Sequence, residues 1–289
     1  MHARAVAATA TALLGAAALL SPVPAARAGD AAAPTVLAHR GASAYAPENT
    51  LAAIDKAASL GFTWVENDVQ RTKDGRLVVI HDDSLQRTTD VEKVFPGRAP
   101  WKVKDFTAAE IARLDAGSWF SSSYRGTRVP TLAQYMRRVE HNHEKLLLEI
   151  KNPELYPGIE QQILDQLGNE GWLDRRHLDR LVVQSFSADS LRIVHGLRPA
   201  VTTGYLGTPS VGSLHGYAGF TDLINPSVDT ISAGYVQDVH SFEGPHGKRL
   251  RVFTWTVNDA VTTWKAVGYG VDGIITNSPD VVRAALRAS

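Results

Sequence analysis

The sequence predicts an α/β fold, a (β/α)8 TIM-type barrel with a small insertion after the third strand. Three observations predict it. Short apolar, β-branched runs alternate with stretches of helical spacing, the pattern of a parallel sheet covered by helices. Residues 29–289 come close to the usual length of such a barrel, about 250. Residues able to do chemistry gather at the ends of the predicted strands, the face on which barrel enzymes build their sites. A doubly wound open sheet is the alternative.

Residues 1–28 read as an export signal. His2 and Arg4 precede an apolar run from Ala5 to Leu20, helix-breaking Pro22 and Pro24 follow, and Ala26-Arg27-Ala28 is a small-x-small cleavage site. Cleavage there leaves residues 29–289 as the barrel domain, secreted into the medium or associated with the wall, with no stable membrane insertion. The chain has no cysteine, so neither a lipid-modified cysteine nor a disulfide framework is available and stability must come from a core. With 30 basic against 30 acidic side chains and 44% hydrophobic residues, disorder and collagen are excluded. Balanced charge also gives no field to gather a nucleic-acid backbone, so no nucleic-acid partner is expected and a small-molecule substrate is. Oligomeric state is left open.

The predicted strands are Thr35 to His39, Trp64 to Val69, Leu77 to His81, Lys145 to Ile150, Leu181 to Phe186, Val201 to Leu206, Asp229 to Ala233, Arg251 to Thr256 and Gly273 to Thr276. That is nine where a barrel needs eight, so one is surplus or misplaced. Helical spacing covers Asn49 to Leu60, Leu132 to Glu140, Gly158 to Leu167, Ala188 to Leu197 and Asp259 to Val267. Between Asp68 and Leu77 there is too little chain for a helix, and Thr72-Lys73-Asp74-Gly75 is turn chemistry. The second crossover is therefore an extended return or a hairpin. Residues 86–130 form a polar insertion carrying Trp101, Trp119 and Phe120, read as a lid or small subdomain above the mouth.

Chemistry follows from what the strand ends present. Glu66 and Asp68 are two apart on a strand, so both carboxylates face one side while Asn67 faces the other; Glu149 and Lys151 repeat the spacing. Three carboxylates in a half-buried mouth repel, and a cation is the natural compensation. Oxygen-only ligands select one hard divalent ion, Ca2+ or Mg2+. His39 and His81 at neighbouring strand ends suit proton transfer, one to a nucleophile and one to a leaving oxygen. Arg40 and Lys151 read as clamps on an anion that gains charge in the transition state. Together these groups ask for a phosphate ester. Trp255 is either core or a wall for a polyol chain, and Gln184-Ser185-Phe186 ends a strand beside the pocket. Pro47-Glu48 is read as a helix start, and His141, His143 and the remaining scattered histidines as structural.

In order and spacing, several blocks resemble the glycerophosphodiester phosphodiesterase family. They are Ala38-His39-Arg40-Gly41, Pro47-Glu48-Asn49-Thr50, Glu66-Asn67-Asp68-Val69, Thr72-Lys73-Asp74-Gly75, His81-Asp82 and Leu85-Gln86-Arg87-Thr88-Thr89. Val129-Pro130-Thr131-Leu132, Leu148-Glu149-Ile150-Lys151, Thr254-Trp255-Thr256-Val257-Asn258 and Asp272-Gly273-Ile274-Ile275-Thr276 resemble its later blocks. The resemblance implies a barrel, a divalent cation and hydrolysis of glycerophosphodiesters to glycerol phosphate and an alcohol. Carried over position by position, His39 and His81 resemble the general acid and base, and Glu66, Asp68 and Glu149 the metal ligands. Arg40 and Lys151 match phosphate contacts, and Trp255 a substrate wall. The main departure is Asn67, where the family usually has an apolar residue. Two alternatives stand beside this reading: a lysophospholipase D type activity on lysolipids, and a noncatalytic protein that binds phosphorylated polyols.

Overall fold

A computed structural model gives the structure of the chain and describes residues 1–2 and 33–288. The export signal read from residues 1–28 lies, after its first two positions, outside the described residues. Among the described residues nine strands follow in chain order: β1 (Thr35–Ala38), β2 (Trp64–Arg71), β3 (Leu77–Val79), β4 (Lys145–Ile150), β5 (Leu181–Ser185), β6 (Thr202–Leu206), β7 (Leu223–Asn225), β8 (Arg251–Thr254) and β9 (Gly273–Thr276). Eight of them run parallel in the order β1, β9, β8, β7, β6, β5, β4, β2, and pairing of Ala38 with Val65 joins β1 to β2 and closes the ring. The fold is the predicted barrel, not the open sheet.

Strand alternation sorts the side chains into two layers. Leu37, Leu147, Val182, Leu223, Phe253 and Ile275 point inward and fill the barrel. Val65, Val69, Leu146, Leu148, Leu181 and Val183 point outward and pack beneath the helices. Phe253 fills its share because β9 begins with glycine: a Cβ on Gly273 would lie 2.5 Å from the Phe253 ring. The helix Leu132–His141 illustrates the outer layer. Thr131 and Gln134 form a capping box at its start, and Leu132, Tyr135, Met136 and Val139 recur on one buried face. Truncating Leu132 to alanine there would cost about 2–5 kcal/mol.

Two expectations are corrected by the fold. Residues 229–233 are not a strand. Val228–Thr230 is a turn of 3-10 helix, and Ser232 accepts a hydrogen bond from the Tyr235 N–H to cap the helix Ala233–His240. The β-branched residues there mimic a strand, whereas the true strand of this region, β7, the sixth stave of the barrel, is only three residues, closed by Pro226. The surplus strand is β3, which is not a barrel stave. It pairs antiparallel with β2, Val69 opposite Val79, so the second crossover is a hairpin. Its turn is tied by Thr72, whose hydroxyl donates to Asp74 (2.6 Å) and accepts from the Arg76 N–H (2.9 Å), with Gly75 in the left-handed region at φ 78°. The five predicted helices are present, and Pro279–Arg287 adds a terminal one that the spacing reading passed over.

The hairpin decides where His81 stands. β2 continues past the closed part of the barrel to Arg71, and β3 returns alongside it until the Ile80 N–H donates to the Asp68 carbonyl (2.9 Å). His81 thus reaches the level of the β2 carboxylates from outside. The 86–130 insertion then builds its own core from Val91, Val103, Phe106, Ile111, Leu114 and Ala116, packed on Val78 and Ile80. At its far end Trp119, Phe120 and Tyr124 stack edge to face, and the Tyr124 hydroxyl donates to the Tyr45 carbonyl in the loop after β1. Trp101 is turned inward, its indole N–H bonded to the Phe95 carbonyl.

Candidate active site

The chain leaves β1 through two consecutive left-handed residues, Arg40 (φ 56°) and Gly41 (φ 78°). Gly41 is obligatory there, since a Cβ would lie 2.6 Å from the backbone of Ala53. The turn aims the Arg40 backbone N–H at Glu66 Oε2 (2.9 Å) and its side chain back across the mouth. Arg40 Nη1 donates to Glu48 Oε1 (2.9 Å), and Nε lies 3.4 Å from Asp68 Oδ2. Asn49, also left-handed at φ 59°, donates from Nδ2 to Asp68 Oδ2 (2.8 Å).

Glu66, Asp68 and Glu149 meet. One oxygen from each lies within 4.8 Å of the others, and all three side chains are buried. The β2–β4 register explains this, because Asp68 sits directly opposite Glu149 and Glu66 is the next inward residue below. Asp68 Oδ1 is buried and accepts no hydrogen bond; Glu149 Oε1 has Lys151 Nζ 2.9 Å away. Burial and mutual repulsion act together. Burial, then the charges of Asp68 and Glu149, raise the Glu66 carboxyl well above the usual carboxylate range. Burial and Asp68 push Glu149 up to about 8. Burial also works against ionised Asp68, but Arg40 and Lys151 outweigh it and hold Asp68 below its ordinary value. At neutral pH the triad therefore does not carry three full charges by itself. Orphaned, buried carboxylate oxygens held this close fit a hard divalent cation.

The two histidines are held differently. His39 donates from Nδ1 to Asn277 Oδ1 (2.7 Å), which also accepts from the Ser43 hydroxyl (3.0 Å). That leaves the Nε2 lone pair facing Glu66, with Nε2 4.0 Å from Oε2. Burial and adjacent Arg40 lower His39 to about 4, so the ring is neutral at neutral pH. His81 instead places Nδ1 against a carboxylate, Asp82 Oδ1 at 2.6 Å, and Nε2 3.2 Å from Lys151 Nζ. Asp82 is lowered to about 2: burial opposes this, and the Arg87 and His81 hydrogen bonds prevail. Arg87 binds Asp82 through Nε (2.6 Å) and Glu48 through both terminal nitrogens (2.8 Å each), so the insertion is tied to the mouth at its first turn.

A further tier supports these groups. Gln184 Nε2 reaches Glu66 Oε1 (3.4 Å), and Asn225 Nδ2 donates to Gln184 Oε1 (2.9 Å). Gln70, buried two residues beyond Asp68, donates to the carbonyls of Ile80, His81 and Asp82 and accepts from the Tyr156 hydroxyl. It fastens the segment that carries His81. Trp255 is anchored by its indole N–H to the Asn225 carbonyl (2.8 Å) and meets Phe186 edge to face.

All eight residues singled out from sequence come to one end of the barrel. His39, Arg40, Glu66, His81, Glu149, Lys151 and Trp255 line a single cavity of about 80 Å3, with Asp68 beside it in the triad. Trp255 is wall rather than central core. Sequence reasoning gave no part in the site to Asp82, Arg87, Gln70 or Asn277, and read Glu48 and Asn49 only as the start of a helix. Gln70 carried a usable signal, the inward parity of Glu66 and Asp68; Asn277 and Arg87 did not, because their partners are distant in the chain. Asn67 faces the helix layer as its parity demands, fully buried, and neither of its polar side-chain atoms finds a hydrogen bond.

Comparison with known proteins places these observations in a family. The model of the glycerophosphoryl diester phosphodiesterase family matches residues 39–281. A glycerophosphodiester phosphodiesterase of Bacillus subtilis is 33% identical over 282 residues, covering 91% of this chain and 91% of that protein. One from Caldanaerobacter subterraneus subsp. tengcongensis is 34% identical, covering 87% of this chain and 97% of its own. Among solved structures, an Oleispira antarctica phosphodiesterase in complex with the product sn-glycerol-3-phosphate superposes with a TM-score of 0.76 at 29% identity, over 88% of this chain and 97% of that one.

Proposed function

The chain belongs to the glycerophosphoryl diester phosphodiesterase family, and we propose that it hydrolyses glycerophosphodiesters to glycerol phosphate and an alcohol with Glu66, Asp68 and Glu149 holding one divalent cation and His39 and His81 moving the protons. The observation that carries this is the convergence of three buried carboxylates within 4.8 Å, with His39 adjoining Glu66 and His81 adjoining the lysine that touches Glu149. An oxygen-only donor set suits Ca2+ or Mg2+, which when bound would stabilise charge on the phosphoryl oxygens.

The chain's own groups divide the remaining work. Arg40 and Lys151 receive the phosphate, Arg40 as a planar fork and Lys151 as a point charge. His39, neutral with its lone pair on Nε2, takes the proton of the nucleophile, either water, or the neighbouring hydroxyl of the glycerol unit to give a cyclic phosphate that water then opens to glycerol phosphate. As the bond from phosphorus to the alcohol oxygen breaks, His81 gives its proton to that oxygen. Asp82 accepts from Nδ1 at 2.6 Å and fixes the orientation of the ring for that transfer. Trp255 and Phe186 wall the pocket on the side of the glycerol chain. The leader read from residues 1–28 would deliver the enzyme outside the cell.

The test is hydrolysis of glycerophosphocholine by the full chain before and after chelation. Activity is expected to vanish in chelator and return with Ca2+ or Mg2+. Full turnover after exhaustive chelation would refute the metal assignment, and release of no glycerol phosphate under any metal would remove the substrate assignment.

A further inference from the structure

The opposite end of the barrel, where the strands begin, carries a second and larger cavity of about 780 Å3. It is separated from the mouth by the inward layer of Leu37, Leu147, Leu223 and Phe253. Four basic side chains, Arg175, Lys248, Arg249 and Arg251, face it against two acidic ones, Asp179 and Asp222. Arg251 has the inward parity of Phe253 and Trp255 on its strand, so its guanidinium enters the barrel floor, lying over the Phe253 ring at 5.4 Å. Half-buried, it makes no hydrogen bond or ion pair among the described residues.

The carboxylates whose charge reaches Arg251 are already engaged. Asp222 takes His246 Nδ1 (2.7 Å) and the Thr203 N–H (3.1 Å); Asp272 takes His240 (2.8 Å), Arg249 (2.7 Å) and the Val252 N–H (2.7 Å). Burial accordingly lowers the Arg251 pKa from its ordinary value. With the paired groups set aside, Arg175, Lys248 and Arg251 face, among the described residues, a single unpaired carboxylate, Asp179. The basic loop is held in place beforehand. Glu243 and Arg249 pair across it, the Gly244 N–H donates to the Lys248 carbonyl (2.8 Å), and His246 is fixed on Asp222. The other wall is apolar, made by Trp64, Leu178, Leu181 and Val182.

We propose that this cavity binds a small organic phosphomonoester in its dianionic form, the phosphate between Arg251, Arg175 and Lys248 and the organic group against Trp64. Two unbalanced positive charges call for a dianion. The apolar wall, and a volume far beyond that of one phosphate, call for an organic substituent.

The test is calorimetric titration of the full chain with phenyl phosphate, inorganic phosphate and phenol, in the wild type and in Arg251→Gln and Lys248→Gln. Phenyl phosphate is expected to bind at least tenfold more weakly to each variant while kcat and KM on glycerophosphocholine stay at wild-type values. Lys248 lies on an exposed loop, so its variant reports even where Arg251→Gln fails to fold. Equal phenyl phosphate affinity in wild type and Lys248→Gln overturns the site, as does a rise in KM that follows the loss of binding, which would place the ligand at the mouth. Inorganic phosphate binding as tightly as phenyl phosphate, or phenol binding as well, overturns the ligand class. Absence of any turnover would count against the proposed function and leave the binding result standing.

Discussion

The two ends of this barrel are built by one rule and reach opposite chemistry. On β2 the inward residues run Trp64, Glu66, Asp68; on β8 they run Arg251, Phe253, Trp255. The same alternation puts carboxylates at the mouth and cations at the floor, with an apolar plug between. What separates the ends is the tier behind the charged groups. At the mouth, Asp68 is gripped by Asn49, Glu66 by the Arg40 backbone and Gln184, His39 by Asn277, and His81 by Asp82. At the floor, among the described residues, the Arg251 side chain meets only an aromatic face. Charge alone gathers an ion, whereas positioned charge can work on a bond.

The sharpest way to break that contrast is to remove the histidines. His39→Ala and His81→Ala are each expected to lower turnover on glycerophosphocholine by roughly 10^2–10^4-fold while the cation still binds. A nitrophenyl ester of glycerol phosphate separates them, because its leaving group departs without a proton. His81→Ala should recover most of its activity on that ester and His39→Ala none; equal recovery by both would void the assignment of base and acid.

A smaller loss tests whether the supporting tier matters. Asp82→Asn keeps an acceptor near His81 but removes the charge, and turnover on glycerophosphocholine should fall roughly 10–100-fold, as for the loss of one charged hydrogen bond. The nitrophenyl ester should be cleaved at close to the wild-type rate. A uniform loss on both substrates would mean that Asp82 merely holds the fold.

The smallest effect is on stability and has a definite sign. Glu149, lifted to about 8, and Glu66, raised as well, hold protons in the folded metal-free chain that the unfolded chain has released. Their contribution is complete below the ordinary glutamate value and is lost as pH rises through about 8. His39, lowered to about 4, acts in the reverse sense, but only below 6.5. Between pH 6.5 and 8 the melting temperature of the chelated protein should therefore fall, and Glu149→Gln or added Ca2+ should flatten the slope. A melting temperature that rises with pH across this window in the chelated wild type would contradict the description of the triad.

Much of this was legible in the sequence because alternation is a local code. Glu66 with Asp68 and Glu149 with Lys151 declare a shared face from spacing alone, and the in-register pairing of β2 with β4 then brings the pairs together. Two failures have physical causes. Asp229 to Ala233 has strand-like composition, yet Ser232 serves as a helix cap, and the three-residue β7 is too short for its periodicity to be read. The supporting tier was hidden because hydrogen bonds such as Asn277 to His39, 238 positions apart, leave no periodic trace. Asn67 was correctly placed on the outer layer, and nothing in the structure explains why a buried amide without partners stands there.

The return of β3 along β2 has a consequence for how the chain tolerates changes in length. His81 is hung from a three-rung ladder of hairpin residues rather than from a stave of the barrel, so its height above the carboxylates is counted from the turn at Thr72–Gly75. One residue added between Arg71 and Leu77 would swing the imidazole to the far side of the ribbon. Lengthening the outer segment beyond Arg87 would leave it untouched. The ribbon works as a gauge block, letting the exterior grow or shrink while the distance that governs proton delivery stays set.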